Sequence, residues 1–313
     1  MPSSAIRSAS SSTGAAPAAF WDRYELPTVA LGLVLYAAWL ALTWWHAVIP
    51  GWLLLLAGGY VVQWHFSLQH ESIHAMRQWP AWLRTAFVWP PVGLWMPYPI
   101  YHKSHSTHHV NFHLTHPQRD TESNYQLKDA WPPDNPVQRT LILLNQTLWF
   151  RLVFGPFLRL WKLAKRETQR VREGDRSHLP HWGVHMVSVA IVLWWVMGVC
   201  QMPLWKYLVC FAWPGMSLGM LRTFTEHRWG ERPMERVAIV ESNTLMGLLF
   251  LFNNLHLVHH RQPTLPWYRI RRRFEDHRDE MLATNGNFYY RGYLQIARLF
   301  LFKPVFDPPH PRW

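Results

Sequence analysis

Four long apolar stretches constrain the fold of this chain more than any other feature. They cover about residues 26–48, 52–70, 184–202 and 204–225, and each comes close to the roughly 20 helical residues that cross a bilayer. Turns at Pro50-Gly51 and at Pro203 join them in two pairs. The pattern predicts an all-α integral membrane protein built on two transmembrane helical hairpins, that is, four spans.

Composition supports this prediction. Only 16% of the residues are charged, against about 25% in a soluble domain. The alternative is a soluble protein with buried core helices, but residues 29–45 carry no charge at all, which argues against it. The spans and the segments around them, residues 19–313, are expected to form a single membrane-embedded domain. Residues 1–18, rich in Ser and Ala, are expected to form a disordered tail rather than a signal peptide.

The distribution of cations predicts the orientation. Neither hairpin tip, residues 49–51 or 200–203, contains Lys or Arg, whereas cations crowd other connections such as residues 162–176. By the positive-inside rule, the tips face away from the cytoplasm and both termini lie in it. The amphipathic run at residues 141–163, with cations among Leu, Phe and Trp, predicts interfacial helices.

A formal net charge of +12 raises the possibility of a nucleic-acid partner. Basic loops facing an anionic membrane leaflet explain the charge better, so we expect a membrane partner and no nucleic acid. Cys200 and Cys210 are the only cysteines and form no Cys-x-x-Cys motif, which leaves no disulfide framework and no cysteine cluster for zinc or iron-sulfur ligation.

Ten of the nineteen histidines are clustered. They are His70-x-x-x-His74, His102 followed by His105-x-x-His108-His109, the single His227, and His256-x-x-His259-His260. On a helix these spacings place imidazoles a turn apart or at the neighbouring angle. A helix counted from Pro50 at about 1.5 Å per residue has risen about 30 Å by His70, so it leaves the hydrocarbon there. The hairpins therefore deliver imidazoles to one membrane face, in a number that exceeds the four ligands of one zinc ion and indicates two metal ions.

The order and spacing of the three motifs resemble the three histidine boxes of the membrane fatty acid desaturase and hydroxylase superfamily, particularly its short bacterial members. The resemblance covers roughly residues 26–270. It implies a non-heme di-iron centre on a cytoplasmic helical cap, in a protein of the bacterial inner membrane. It also implies nine metal ligands, which are His70, His74, His105, His108, His109, His227, His256, His259 and His260.

Residues near the boxes are candidates to orient the imidazoles, because metal-bound histidines usually donate their second ring nitrogen to an oxygen. The candidates are His102, Glu71, Glu226, Asp120, Glu122 and Asn254. For His102 the alternative is direct metal ligation, and for the other five it is an ordinary solvated or capping role. The chain departs from some acyl-CoA desaturases at Thr223, where those enzymes supply an Asn ligand one helical turn before the extra histidine.

The resemblance implies an O2-dependent oxidoreductase that abstracts hydrogen from an unactivated C–H bond of a lipid or acyl substrate, with desaturation as the leading prediction. Its cofactors are two iron ions. The sequence shows no cytochrome b5-like or ferredoxin-like segment, so we expect electrons from a separate ferredoxin or reductase. Basic residues such as Arg269 and those at 271–273 suit an acidic donor, although anionic lipid is an alternative partner.

Other functions stay open on the sequence alone. A hydroxylase, a ketolase or an alkene-forming decarboxylase uses the same chemistry. A heme protein or a metal transporter is a candidate of another class. These place their histidines within spans or at mid-membrane, whereas the clusters here cap the ends of the spans.

Overall fold

The computed structural model describes residues 20–110 and 113–313, so the predicted disordered tail lies outside the described residues. Helices dominate. They are α1 (Phe20–Arg23), α2 (Leu26–Trp44), α3 (Gly51–His74), α4 (Ala81–Val88), α5 (Tyr98–Val110), α6 (Pro136–Leu144), α7 (Leu148–Val153), α8 (Gly155–Arg172), α9 (Leu179–Leu193), α10 (Leu204–Tyr207), α11 (Trp213–Thr223), α12 (Thr244–Leu249), α13 (His256–Arg261), α14 (Trp267–Asp276), α15 (Arg278–Thr284) and α16 (Tyr293–Phe300).

Shorter elements complete the fold. A π-helical segment, Trp194–Val199, continues α9, and another, Leu208–Ala212, joins α10 to α11. Strands β1 (Ile239–Val240) and β2 (Tyr289–Tyr290) pair in parallel, with Ile239 opposite Tyr289. Two 3₁₀ turns cover Lys128–Ala130 and Pro233–Arg236. The fold is therefore almost wholly helical.

Two helices are long and apolar enough to cross a membrane. They are α2 and the continuous helix Leu179–Val199, near the first and third predicted spans. The second and fourth predicted spans are also helical, as α3 and as the run from α10 to α11. However, α3 buries polar side chains such as Gln63, Ser67 and Gln69 in its second half, which lowers its apolar character. Two apolar helices thus indicate membrane association, and the four-span arrangement stays a prediction.

Helix α3 packs against α11 at very short range. A Cβ on Gly59 would lie 2.8 Å from Cβ of Pro214, and one on Gly58 would collide with the carbonyl oxygen of Cys210 in the π-helical segment that precedes α11. Small residues at a helix interface allow such an approach, and they are typical of helix pairs in membranes. The contact fixes the end of α3 beside the end of α11, which leads into His227.

Polar side chains of α3 hold the neighbouring elements. Ser67 donates to the carbonyl oxygen of Leu249 at 3.0 Å and Trp64 donates to that of Leu248 at 2.7 Å, which anchors α12. The hydroxyls of Ser72 and Tyr98 lie 2.7 Å apart, which anchors the start of α5. Each such bond contributes about 1 kcal/mol when both partners are buried. The helix that carries the second histidine motif, and the helix that precedes the third motif in the chain, are therefore positioned from α3.

The chain reverses between α12 and α13 through two residues in the left-handed region. Leu251 and Phe252 have φ of 49° and 55°, which costs energy in residues with a Cβ. The backbone after the turn is held by residues 237–240. Val240 N donates to the carbonyl oxygen of Asn254 at 2.9 Å, and Leu257 N donates to that of Ala238 at 3.2 Å. On its other side, Ala238 N donates to the carbonyl oxygen of Glu226 at 2.9 Å, so this segment aligns His227 with α13.

Residues 308–313 pack against the loop that follows α5. Gln126 N donates to the carbonyl oxygen of Pro308 at 2.7 Å, and His310 N donates to that of Gln126 at 2.8 Å. The His310 ring is fully buried, and its Nε2 lies 3.2 Å from Oγ1 of Thr115. This end of the chain thus supports the loop that carries Asp120 and Glu122.

Candidate metal centre

The nine predicted ligand histidines assemble into two groups. The five-histidine group contains His70, His74, His105, His109 and His259, and the four-histidine group contains His108, His227, His256 and His260. Within each group, one ring nitrogen of every member lies within 4.8 Å of those of the others. Among the described residues, His102 belongs to neither group and its ring lies 6.0 Å from that of Tyr98. The structure thus brings residues from four separate parts of the chain to one place.

The helical period explains how one motif serves both groups. On α5, His105 and His109 are one turn apart and join the five-histidine group, while His108 points towards the other group. On α13 the division is reversed, with His259 in the five-histidine group and the pair His256 and His260 in the other. Both helices therefore lie between the two groups.

Burial sets the protonation of these imidazoles. Desolvation, together with the charge of His108, lowers the pKa of His227 to about 4. Desolvation and neighbouring imidazoles likewise hold the pKa of His259 and His260 well below the usual value. Burial also lowers the pKa of His108, but the charges of Glu122 and Asp120 outweigh it and raise the pKa to about 9. Most of the cluster is thus in the neutral form that binds metal ions.

Hydrogen bonds fix which ring nitrogen faces inward. Nδ1 of His105 donates to Glu122 at 2.8 Å, Nδ1 of His108 donates to Asp120 at 2.8 Å, and Nδ1 of His227 donates to the carbonyl oxygen of Arg236 at 3.2 Å. Ionised carboxylates and carbonyl groups can only accept, so the proton of each neutral ring sits on Nδ1. In His105 and His227, Nε2 therefore carries the lone pair and faces the group, which is the arrangement of metal-bound histidine. His108, whose pKa is raised, has to release its second proton before its Nε2 can bind a metal ion.

The inward nitrogens fit a metal ion better than they fit one another. Nε2 of His109 lies 2.9 Å from Nε2 of His259, and Nε2 of His227 lies 3.1 Å from Nε2 of His256. In the described part of the chain, Nε2 of His74 and Nε2 of His108 are buried without a hydrogen-bond partner, one in each group. Buried polar atoms without partners are costly, and a cation among the lone pairs would remove that cost.

The comparison with known families agrees with this geometry. A family model for fatty acid desaturases matches residues 42–292, which is most of the chain. This chain belongs to the fatty acid desaturase family. A search of curated protein sequences finds no significant match. Membership of the family indicates a desaturase- or hydroxylase-type oxidoreductase with a lipid or acyl substrate, and the family is typically metal-dependent.

In this desaturase-family chain, the candidate orienting residues differ in what they contact. Asp120 accepts from Nδ1 of His108 and also from the backbone of Thr115 at 2.7 Å, so it is itself held in place. Burial raises the pKa of Asp120, but the His108 contact leaves it lowered overall, which keeps the carboxylate ionised. Glu226 pairs with Arg222 at 3.1 Å and lies 3.6 Å from Nδ1 of His256.

Glu71 and Asn254 have other partners. Glu71 accepts from the backbone of Trp267 at 2.9 Å and so holds the start of α14. The Asn254 amide donates to the carbonyl oxygen of Val240 at 2.6 Å, which secures the strand segment. The Asn254 amide also donates to the hydroxyl of Ser242 at 3.2 Å, so the hydrogen bonds described for Glu71 and Asn254 go to groups around the centre other than the imidazoles.

Asn253, the residue next to the candidate Asn254, was not among the candidates from the sequence, yet its amide contacts imidazoles of both groups. It is 3% exposed, with Nδ2 3.3 Å from Nε2 of His70 and Oδ1 3.2 Å from Nδ1 of His256. One amide thus connects the two histidine groups. The sequence signal was an amide pair just before the third motif, but only the left-handed turn at Leu251 and Phe252 decides which amide faces the imidazoles.

Two cavities of about 160 and about 60 Å³ lie beside the centre of this desaturase-family protein. The larger cavity is bounded on one side by Glu226 and His227. The smaller cavity lies between α3 and α11, against Phe66, Met216 and Gly219. The two cavities are adjacent and share six lining residues, which are Trp95, Tyr101, Glu122, Arg159, Met220 and Thr223.

Proposed function

We propose that this protein is an O2-dependent di-iron desaturase that introduces a C=C bond into a fatty acyl or lipid substrate. The observation that carries the proposal is the pair of histidine groups, in which ring nitrogens of nine imidazoles converge within 4.8 Å of one another in each group. Hydrogen abstraction from an unactivated C–H bond is beyond side-chain acids and bases, and two iron ions with O2 and two electrons would supply that chemistry. An imidazole-rich environment is suitable for iron.

The residues of the chain have distinct roles in this proposal. The nine histidines hold the metal ions, with His227 completing the four-histidine group. Asp120 and Glu122 keep the proton on Nδ1 of His108 and His105, so that Nε2 remains a ligand atom. The deep burial of His108, His256 and His259, each at most 3% exposed, excludes bulk water from the centre.

The proposed setting is the bacterial inner membrane, with the centre and both termini on the cytoplasmic side. A separate ferredoxin or reductase would deliver the electrons. The basic helix α14 is a suitable docking region, since the Arg272 side chain is 87% exposed. Complementary charge increases the association rate of such transient complexes.

The test is expression of the full chain in a host of known lipid composition, followed by lipid profiling and metal analysis of the purified protein. We expect new double bonds and about two iron ions per chain without a heme absorption band. His259→Ala should abolish the product, whereas His181→Ala, which changes an exposed histidine outside both groups, should not. Hydroxylated product alone would refute desaturation, and zinc or heme in place of iron would refute the di-iron assignment.

A further inference from the structure

The larger cavity has a strongly basic wall opposite the metal centre. Arg151 of α7 and three residues of α8, Arg159, Lys162 and Arg166, all line it. The α8 residues follow at intervals of three and four, so they form one row on the helix. Arg159 is half-buried, and Lys162 and Arg166 are exposed at the outer side. The cavity therefore offers a graded series of cations from its interior to its mouth.

Arg151 is buried at the inner end of this row. It is 3% exposed, its Nε donates to the carbonyl oxygen of Asn145 at 2.9 Å, and its guanidinium lies 5.4 Å from the ring centre of Phe224. Its Nη2, however, is buried with no hydrogen-bond partner among the described residues. Burial and the charge of Arg159 lower the pKa of Arg151 to about 10, in keeping with a cation that lacks a counterion. A buried unpaired donor of this kind is costly and indicates a ligand that accepts from it.

The acidic groups near the cavity are already engaged. Glu122 accepts from His105, and Glu226 pairs with Arg222. Within residues 20–110 and 113–313, none of the four cavity cations forms an ion pair with a carboxylate. By contrast, Arg170, farther along α8, pairs with Asp175. The cavity is thus polarised, with acidic groups towards the metal centre and unpaired cations towards α7 and α8.

We propose that the larger cavity binds the carboxylate of an acidic substrate through Arg151, Arg159 and Lys162. The guanidinium fork of arginine matches the planar geometry of a carboxylate, and the enclosed position of Arg151 favours this small group over a bulkier phosphate ester. Calling the bound molecule a substrate rests on the function proposed above. The anion site itself rests on the cavity alone.

The smaller cavity accommodates the rest of such a molecule. It lies beside the larger one, shares Trp95 and Arg159 with it, and is bounded by the apolar side chains of Phe66, Met216 and Met220. A carboxylate held by the basic wall would therefore direct an alkyl chain between α3 and α11. The distance from the bound carboxylate would then determine which carbon atoms of the alkyl chain react.

The experiment measures equilibrium binding of radiolabelled dodecanoate to the full metal-loaded chain in lipid nanodiscs, without an electron donor and with empty discs subtracted. Dodecanol and dodecyl phosphate are the comparison ligands. Arg159→Gln and Lys162→Gln should each weaken dodecanoate binding about ten-fold and leave dodecanol unchanged, because each removes one charge-assisted contact. Lys165→Gln is the matched control, since it removes a cation of the same helix that does not line the cavity. Arg151→Gln should weaken dodecanoate binding most. If the Arg151→Gln protein does not fold, Arg159→Gln and Lys162→Gln decide the test.

Three results would overturn the proposal. They are equal binding of dodecanoate and dodecanol, tighter binding of dodecyl phosphate than of dodecanoate, and a loss in Lys165→Gln equal to that in Lys162→Gln. Carboxylate-selective binding without desaturated product would refute the proposed function and keep the site. Desaturated product without carboxylate selectivity would refute the site and keep the function.

Discussion

The two histidine groups differ in how completely the protein surrounds them. The five-histidine group has the carboxylate of Glu122 on one member, and in the described structure none of its imidazoles lines either cavity. The four-histidine group has one imidazole fewer, yet Asp120, Glu226 and the Arg236 carbonyl group all lie against its members. Its His227 borders the larger cavity. Closed metal sites are usually structural and open ones leave a position for reactants, so the four-histidine group is the side that we expect to meet the substrate.

Removing one imidazole from each group tests this difference most directly. We expect His259→Ala and His256→Ala each to reduce activity by about 10³-fold or more, because a ligand is lost from a buried site. Both should lower the metal content from about two ions per chain to about one. Metal analysis and product yield, measured on the same preparations, check this. Full metal content in either variant would contradict the ligand assignment.

The supporting carboxylates provide the next largest effect. Asp120→Asn should weaken metal binding to the four-histidine group about 10- to 100-fold, and Glu122→Gln should do the same to the five-histidine group. The metal retained by each variant during dialysis against increasing chelator concentrations measures these losses of affinity. Asp279→Asn, which changes a fully exposed carboxylate on α15, is the control. Equal losses from both groups in both variants would show that the two carboxylates act on the fold rather than on separate groups.

Asn253 tests whether the groups are independent. Asn253→Ala removes contacts to His70 and to His256 at once, so we expect about ten-fold weaker retention of both metal ions rather than of one. Asn254→Ala is a matched control at the adjacent position, where the amide donates to the Val240 carbonyl oxygen and the Ser242 hydroxyl rather than to an imidazole. Selective loss of a single metal in Asn253→Ala would disprove the bridging role.

The smallest predicted effect is a dependence of thermal stability on pH, which results from the protonation of His310. Burial, with the charges of Arg236 and other cations, lowers the pKa of His310 to about 4 from its usual 6.5. The unfolded chain therefore binds more protons below pH 6.5. The stabilisation from His310 is present above pH 6.5 and is lost as the pH falls towards 4.

As the pH falls from 6.5 to 4, we expect the thermal midpoint of the wild type to fall by about 5 °C more than that of His310→Asn. Because Thr115 connects His310 to Asp120, metal should leave the four-histidine group first. Parallel melting curves of the two proteins would argue against a buried neutral His310.

The sequence predicted the family, which the family model confirms, and it predicted which histidines come together. This was possible because i, i+3 and i+4 spacing fixes the direction of side chains on a helix, whatever the helix packs against. The bridging role of Asn253 was not predictable, since it depends on positive φ at Leu251 and Phe252. Nor was the pairing of Ile239 with Tyr289, which joins residues far apart in the chain. The basic row on α8 was visible as an amphipathic pattern, but only tertiary packing shows that Arg151 completes it.

The division of α5 and α13 between the two groups has a mechanical consequence. Each helix contributes imidazoles to both groups from positions within about one turn, so the separation of the two histidine groups is set by covalent geometry and helical pitch. If the histidines of the two groups lay on separate loops, the distance between the groups could change as those loops moved. Here two short helices each hold imidazoles of both groups, so a displacement of either helix would move its imidazoles in both groups together and leave their spacing along that helix unchanged.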